Sequence, residues 1–258
     1  MLIVTLGDLL LDVIVRLDEP LAPGGQAANV SAWAAALGAR ARCVARRGDD
    51  PAGTWVAAEL VARGVELLGP VSGTTGVVVS IVTPDGERAM ASDRGTATLL
   101  APHDLDAAWF ACDCLHISGY ALLASPVDAA AARAAELARS AGARISLDVS
   151  AWTRIRRHGA ARFAEQVEAL APDVVFGTEA EWDELGVGVG ETRVIKRGAA
   201  GFDVAHREAA PERCQAQVTS VVDTTGAGDA LAAGFLVGGT ALALEAAARC
   251  VAKVGAMP

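Results

Sequence analysis

Aromatic residues are scarce in this sequence. They make up only 4% of the 258 residues, whereas hydrophobic residues of all kinds make up 52%. The core must therefore be built mainly from Ala, Val and Leu. A chain of this length can bury one large core, or a core with a small appendage.

Positive charge is also in short supply. The chain has 22 Lys and Arg against 31 Asp and Glu, which gives a formal net charge of −9. This balance argues against nucleic acid or an anionic membrane surface as a partner. Any ligand that carries phosphate must be held by local donors against an unfavourable overall field.

The cysteines do not form a recognisable framework. Their number is odd and they are scattered, at Cys43, Cys112, Cys114, Cys214 and Cys250. The Cys112-x-Cys114 pair has no second Cys or His pair at metal-ligand spacing. We interpret all five as small, largely buried residues, which is consistent with a reducing compartment.

Signals for export or for membrane insertion are not apparent. Met1 leads directly into a strand-like apolar run, so no signal peptide and a cytoplasmic location are expected. The most hydrophobic segment, residues 230–244, is uncharged but is interrupted by Gly234, Gly238 and Gly239. It predicts two buried helices rather than a membrane span.

The two common nucleotide fingerprints are missing. No G-x-x-x-x-G-K-[ST] occurs, and the first strand leads into residues 7–10, GDLL, instead of G-x-G-x-x-G. A P-loop and the usual dinucleotide fold are thereby excluded. If the protein handles phosphate, another glycine-rich turn must do so.

Apolar runs of strand character alternate with helical patterns along most of the chain. This order predicts an α/β fold with a mostly parallel sheet and helices on both faces, in a single domain over residues 1–258. Two extra strand-like regions, about residues 12–22 and 76–92, predict a small β-sheet lid, with a turn at 83–87 and a loop at 20–25. The pattern also predicts a short helix at 104–111, and a strand at 215–222 before two closing helices.

The most informative stretch runs from Asp223 to Asp229, DTTGAGD, between a strand-like run and a helix-like run. Glycines at a strand-to-helix turn allow close backbone approach, and the helix N-terminus favours an anion. A carboxylate beside such a pocket makes most sense as a proton acceptor for a nucleophile, which assigns this role to Asp229. The alternative is a simple glycine-rich turn in which Asp229 is an N-cap or a first-turn acid of the helix.

Two motifs together resemble the PfkB, or ribokinase-like, family of carbohydrate kinases. The stretch from Asp223 to Asp229 is similar to the C-terminal signature of that family, and Gly24 to Ser31, GGQAANVS, is similar to its N-terminal signature. Residues 194–201, VIKRGAAG, resemble the strand and glycine loop on the nucleotide side. Both signatures occur in the expected order, so the similarity extends over almost the whole chain.

The resemblance implies a role for each matching residue. Asp229 would be the general base, and the backbone N–H groups of Gly226, Ala227 and Gly228 would stabilise the transferred phosphoryl group. The sugar would be bound by Asp8, Asp12, Gly24, Gly25, Gln26, Asn29 and Arg94. For Asp8 and Asp12, the alternative interpretation is ordinary polarity at a turn or at a sheet edge. For Asn29, the alternative is a residue at a helix start. For Arg94, it is a charge at the rim of the site that is exposed to solvent.

The resemblance also implies ATP and Mg²⁺. The nucleotide would be bound by Thr178, Lys196, Gly198, Gly201 and Thr224, and Glu181 would reach the metal through water. The family motif has Asn where this chain has Thr178, so Glu181 as a first-turn helix acid is the alternative. The chain ends soon after the second predicted closing helix, so the adenine pocket is expected to be built differently from that of longer relatives.

The function that follows is phosphorylation of a hydroxyl of a small sugar or sugar acid by ATP. A nucleoside kinase of the same family is the first alternative, although five Phe, five Trp and one Tyr offer few rings to stack on a base. A catalytically silent sugar- or nucleotide-binding relative is the second. The family also implies a homodimer that forms through the lid. The short segment between Val15 and Gly24 predicts that this lid is reduced.

Overall fold

A computed structural model describes residues 1–15, 21–82, 88–150, 152–186, 189–207, 209–217 and 220–258. Two layers of helices cover a nine-stranded sheet, and a separate four-stranded sheet lies beside it. The predicted turn at 83–87 lies outside the described residues, as does the first residue of the predicted loop at 20–25.

The large sheet contains nine strands. These are β1 (Leu2–Leu6), β4 (Arg40–Val44), β5 (Val65–Leu68), β8 (Cys114–Ser118), β9 (Arg144–Asp148), β10 (Val174–Thr178), β11 (Thr192–Lys196), β12 (Phe202–His206) and β13 (Glu212–Cys214), and the small sheet adds β2 (Leu10–Val15), β3 (Leu21–Gly24), β6 (Thr75–Val82) and β7 (Arg88–Gly95). The spatial order of the large sheet is β13-β12-β11-β10-β9-β8-β1-β4-β5. The pairings from β5 to β11 are parallel, and only β12 and β13 run antiparallel to their neighbours.

The described residues form seven α-helices. They are α1 (Gln26–Ala36), α2 (Pro51–Ala62), α3 (Val127–Ser140), α4 (Trp152–His158), α5 (Ala160–Leu170), α6 (Glu179–Leu185) and α7 (Ala227–Val251). Local signals set several of their ends. Asp50 caps α2 by accepting a hydrogen bond from the N–H of Gly53 at 2.7 Å, and Pro51 occupies the first helical position.

The core is built from small aliphatic residues, as the composition predicts. One buried cluster packs α1 and α7 against one face of the large sheet, and a second packs α3 and α5 against the other. The Ala-rich helix α3 buries six of its 14 residues, Val127 and five alanines. Small side chains allow the helices to lie close to the sheet, which holds the carboxyl ends of its parallel strands in fixed positions.

The small sheet has the order β3-β2-β6-β7 and confirms the predicted lid. One part of the prediction was wrong: Leu21–Gly24 forms strand β3, paired with β2, where a loop was expected. Pro23 fits in this strand because β3 lies at the edge of the sheet, where one side of the strand needs no N–H donor.

Two other predicted elements differ from the structure. The helix expected at 104–111 is replaced by two short 3-10 segments, Pro102–Asp104 and Ala107–Phe110. The strand expected at 215–222 is absent from the described part of that range, and β13 ends at Cys214. Residues 220–222 are held instead through the N–H of Val222, which donates to the carbonyl of Val251 at 2.7 Å.

Helix α7 combines the two closing helices that the sequence predicts. Gly238 and Gly239 have non-helical backbone angles and mark the break between them. By length and composition alone α7 could cross a membrane. Because many of its residues belong to the core cluster shared with α1, its apolar character is explained by burial within the protein.

Candidate active site

The site forms where the start of α1 meets the start of α7. The side chain of Asn29 on α1 donates from Nδ2 to Oδ2 of Asp229 on α7, at 2.7 Å. These residues are 200 positions apart in the chain. The contact therefore joins the two motifs that the sequence analysis selected.

Asp229 occupies an unusual electrostatic position. Burial, which is the largest effect, raises its pKa to about 7, and the charges of Asp148 and Asp12 act in the same direction. The hydrogen bond from Asn29 and the charge of Lys196 lower the pKa. A carboxyl group that titrates near neutrality can accept a proton from a hydroxyl group and release it again.

Replacing Asn29 with Ala should raise the pKa of Asp229 further, because the ionised carboxylate loses a hydrogen-bond donor. Hydrogen bonds to charged groups typically contribute about 1.5–3 kcal/mol, so a shift of about one unit or more is expected. The measurement is the pH at which kcat/KM rises to half its plateau. A midpoint that does not move would show that Asn29 does not govern the ionisation of Asp229.

The glycine turn before α7 is supported by the C-terminal segment. Gly226 has a left-handed backbone (φ 75°), and a Cβ there would lie 2.5 Å from the Cβ of Ala256. Asp223 accepts hydrogen bonds from the N–H of Thr225 at 2.9 Å and from the N–H of Gly255 at 3.1 Å. Gly226 is thus required by its own conformation and by packing behind the turn.

The amides at the start of α7 lie at a helix N-terminus, where anions are favoured. Of the three predicted N–H groups, that of Ala227 donates to the carbonyl of Thr224 at a long 3.3 Å. In the described structure no backbone acceptor is recorded for those of Gly226 and Gly228. Such amides at a helix N-terminus are suited to binding a phosphoryl group.

A buried ion pair lies directly beside this turn. Lys196, at the end of β11, donates from Nζ to both carboxylate oxygens of Asp148 at 3.0 and 2.7 Å. Asp148, at the end of β9, is fully buried. A Cβ on Gly228 would lie 3.2 Å from the same Nζ, so the ammonium group lies next to the predicted phosphate position.

Thr178 and Glu181 form the N-terminal cap of α6. The N–H of Thr178 donates to Oε2 of Glu181 at 2.7 Å, and the N–H of Glu181 donates to the Thr178 hydroxyl at 3.4 Å. This is the first-turn role given above as the alternative. Burial, the largest effect, raises the pKa of Glu181.

The other predicted nucleotide residues lie near the same edge. Thr224 is exposed beside the turn, and Gly198 starts a 3-10 turn after β11 with open space where a side chain would project. Gly201 has a different constraint, because a Cβ there would lie 2.0 Å from the carbonyl oxygen of Cys214. The lack of a side chain at Gly201 therefore allows β13 to pack closely against this loop.

Among the residues predicted to bind the sugar, Asp8 and Arg94 form a bidentate ion pair. Arg94 donates from Nε to Oδ2 and from Nη2 to Oδ1 of Asp8, each at 2.7 Å. Their side chains are only 5% and 10% exposed, respectively. Gly25 makes room for this arrangement, since a Cβ there would lie 2.3 Å from the carbonyl oxygen of Asp8. The pair attaches the small sheet to the end of β1.

Replacing Asp8 with Ala should destabilise the protein by about 3–5 kcal/mol, because Arg94 would remain charged, largely buried and unpaired. The measurement is the free energy of unfolding in urea. The double variant Asp8→Ala, Arg94→Met should lose much less, since it removes both charges. Equal losses in the single and double variants would show that the unpaired charge is not the cause.

Asp12 faces Gly24 across the small sheet. A Cβ on Gly24 would lie 2.0 Å from Oδ2 of Asp12, so glycine is required for the carboxyl group to fit. Burial raises the pKa of Asp12 to about 7. Asp12 and Asp229 influence each other electrostatically, so their titrations are coupled.

Gln26 connects two further loops to the site. Its Oε1 accepts hydrogen bonds from the hydroxyls of Ser118 at 2.5 Å and Ser150 at 2.7 Å. Ser150 has a left-handed backbone (φ 69°), which is unusual for a residue other than glycine. Only the Nε2 group of Gln26 therefore remains for a substrate oxygen.

Several site residues are absent from the sequence predictions. Asp148, Ser118 and Ser150 lie at or just beyond the carboxyl ends of β8 and β9, the edge where ligands bind in such sheets. That rule could have suggested them. Tyr120 and Arg154 are the others, and nothing in their local sequence indicates that they meet.

The comparisons with known proteins agree with this geometry. A family model described as pfkB family carbohydrate kinase matches residues 18–257. An ATP-dependent ribose-1-phosphate kinase from Halopiger xanaduensis is 32% identical over 244 residues, which cover 88% of this chain and 78% of that protein. A fructokinase from Escherichia coli is 30% identical over 256 residues, covering 90% and 82%.

A solved structure shows the same fold. An adenosine kinase from Sinorhizobium meliloti superposes with a TM-score of 0.91 at 25% identity, covering 99% of this chain and 95% of that one. The predicted α/β fold with a lid and the predicted family are thus confirmed. The chain belongs to the pfkB family of carbohydrate kinases.

Proposed function

We propose that this enzyme transfers a phosphoryl group from ATP to a hydroxyl of a small sugar or sugar acid. The observation that carries this proposal is the position of Asp229. Its carboxyl group titrates near neutrality, is oriented by Asn29, and lies in the first turn of the helix whose N-terminus forms the glycine turn. A base next to an anion site is the arrangement that this transfer requires.

Asp229 acts on the acceptor hydroxyl. The hydroxyl donates its proton to the ionised carboxylate as its oxygen attacks the terminal phosphorus atom. Asn29 holds Oδ2 of Asp229 in place, which leaves Oδ1 for the incoming hydroxyl. General-base assistance of this kind typically contributes about 10²–10⁴-fold to the rate.

Hydrogen-bond donors for the transferred group come from the chain itself. The amides of Gly226 and Gly228 at the N-terminus of α7 would donate to the developing charge. The ammonium group of Lys196 lies beside Gly228 and keeps one N–H donor beyond the two that it gives to Asp148. Asp148 orients that ammonium group by binding it with both carboxylate oxygens. Preorganised donors of this kind need no rearrangement during the reaction.

Mg²⁺ is proposed as the metal that accompanies ATP. The described residues contain no group of three His, Cys, Asp or Glu side chains that could hold a metal ion by themselves. This fits Mg²⁺, which binds through phosphate oxygens, water and one or two carboxylates. Glu181 is the proposed protein contribution, through its Oε1 and a water, because Oε2 already accepts from Thr178. When bound, the ion would neutralise charge on the phosphates.

The decisive experiment is a phosphorylation screen with ATP and Mg²⁺. Its arms are neutral sugars, sugar acids, sugar phosphates and nucleosides, with wild-type protein and an Asp229→Ala variant run in parallel. We expect transfer to at least one sugar arm and none with the variant. Transfer only to nucleosides would replace the sugar by a nucleoside, and absence of transfer in every arm would contradict the proposed activity.

A further inference from the structure

We propose that the acceptor sugar carries an anionic group, a carboxylate or a phosphate, and that Arg154 binds it. This inference rests on the proposed kinase activity and specifies its substrate class. It starts from a cluster that the proposed mechanism does not use: the ring of Tyr120 with two guanidinium groups beside it.

Tyr120 lies just beyond β8, in a 3-10 turn at the edge of the sheet that carries the site. The guanidinium carbon of Arg94 lies 5.9 Å from the centre of its ring, and that of Arg154 lies 5.8 Å away. Burial raises the pKa of the Tyr120 hydroxyl, the charge of Arg154 lowers it, and the charges of Asp229 and Asp8 raise it. Arg154 and Asp229 therefore act on the same small region.

The two arginines differ in whether a carboxylate already pairs with their charge. Arg94 is 10% exposed and directs two donors at the two oxygens of Asp8, so its charge is already matched. Arg154 is exposed, and within the described ranges no carboxylate forms an ion pair with it. Its recorded partners are the hydroxyl of Ser92 and the ring of Tyr120.

The position of Arg154 suits a substrate contact. It lies on α4, which follows the carboxyl end of β9, and its hydrogen bond to Ser92 reaches across to strand β7 of the small sheet. A guanidinium held by an aromatic ring and one hydroxyl keeps further N–H donors for a planar or tetrahedral anion. An anion bound there would lie beside Tyr120, between α4 and the small sheet.

The charge of the site favours the same conclusion. The negative charge of Asp8 is paired with the positive charge of Arg94, and that of Asp148 is paired with Lys196. The pKa values of Asp12 and Asp229 are both raised to about 7, so neither carboxyl group is fully ionised at neutral pH. A neutral sugar gives an unmatched cation no partner, whereas a carboxylate or phosphate forms a charge-assisted pair with it. In a chain of net charge −9, such a local cation is needed to attract an anionic substrate.

The test compares Arg154→Gln and Arg154→Lys with Arg157→Gln. Arg157 lies on the same helix and is exposed, and among the described residues it forms no hydrogen bond or ion pair with the site, so its variant controls for loss of one charge. Three probes are assayed: fructose, 5-dehydro-2-deoxygluconate and ribose 1-phosphate. They separate a neutral sugar from a carboxylate and from a phosphate. kcat/KM is determined for each probe with each variant.

We expect wild-type protein to prefer one of the two anionic probes. Arg154→Gln should lower kcat/KM for that probe by about 10- to 100-fold, mainly through KM, and Arg154→Lys should recover part of the loss. Arg157→Gln should change it by less than about twofold, because surface charges without partners contribute little. Whichever anionic probe shows the loss identifies the carboxylate or the phosphate as the bound group.

Two results would overturn the inference. One is a wild-type preference for fructose over both anionic probes. The other is a loss with Arg154→Gln that is the same for all three probes, since that would indicate a structural role. Either result leaves the kinase activity itself standing, whereas failure of every sugar in the broader screen would contradict the proposed function instead.

Discussion

Replacing Asp229 with Asn is expected to lower kcat by at least about 10²-fold while leaving KM for the sugar nearly unchanged. Asn keeps the size and polarity of the side chain, and its Oδ1 can still accept the hydrogen bond from Asn29. It cannot accept the proton of the sugar hydroxyl. The loss therefore appears in the transition state and not in substrate binding.

The same variant should be at least as stable as the wild-type protein at pH 8. Burial raises the pKa of Asp229 to about 7 from an ordinary value of 3.8, so the ionised form is disfavoured in the folded state. That cost is absent below about pH 4 and increases until the carboxyl group ionises near pH 7. Removing the charge should thus raise Tm at pH 8 relative to wild type, but not at pH 4.

For the wild-type enzyme, kcat/KM should rise with pH through about 7 as the base ionises. Because Asp12 also titrates near 7, the midpoint belongs to the coupled pair. Melting temperature and kcat measured on one preparation of Asp229→Asn separate catalysis from folding. A destabilised variant with wild-type turnover would show that Asp229 serves only as a first-turn acid of α7.

Replacing Gly228 with Val should abolish phosphoryl transfer while sugar binding persists. A Cβ at this position would already lie 3.2 Å from Nζ of Lys196, and the methyl groups of Val would extend further towards the phosphate position. The branched side chain would displace the ammonium group from Asp148 and block the approach of phosphate to the turn amides.

Gly228→Ala is the matched control for this prediction. The flexible end of Lys196 can move by a few tenths of an ångström, so Ala should keep a measurable part of the activity and Val none. Sugar binding by isothermal titration and turnover with ATP are measured on both variants. Equal turnover in wild type and Gly228→Val would show that the phosphoryl group is held elsewhere.

The sequence motif around Glu181 does not distinguish a metal-binding carboxylate from a helix-capping one. The sequence placed it at a metal position and offered helix capping as the alternative, and the structure shows it accepting the N–H of Thr178. A carboxylate has two oxygens, so capping with one of them is compatible with a metal role for the other. The metal role of Glu181 therefore stays a prediction, which binding measurements with Mg²⁺ test.

The strand predicted at 215–222 is absent from the described residues of that range for a physical reason. Its apolar residues suggested a place in the sheet, but Val221 and Val222 are exposed and Val222 pairs with the end of α7. The sheet ends with β13, which is antiparallel to β12 and only three residues long.

The sequence by itself determined the alternation of strands and helices, the two signature motifs and the glycine turn. Those features rest on local patterns: the periodicity of apolar residues, glycine at positions of unusual backbone angle, and a carboxylate in the first turn of α7. Only the tertiary structure decided which side chains meet. Asn29 with Asp229, Lys196 with Asp148, and Arg94 and Arg154 with Tyr120 are pairs from distant parts of the chain. Their contacts depend on the order of strands in the sheet, which no local pattern specifies.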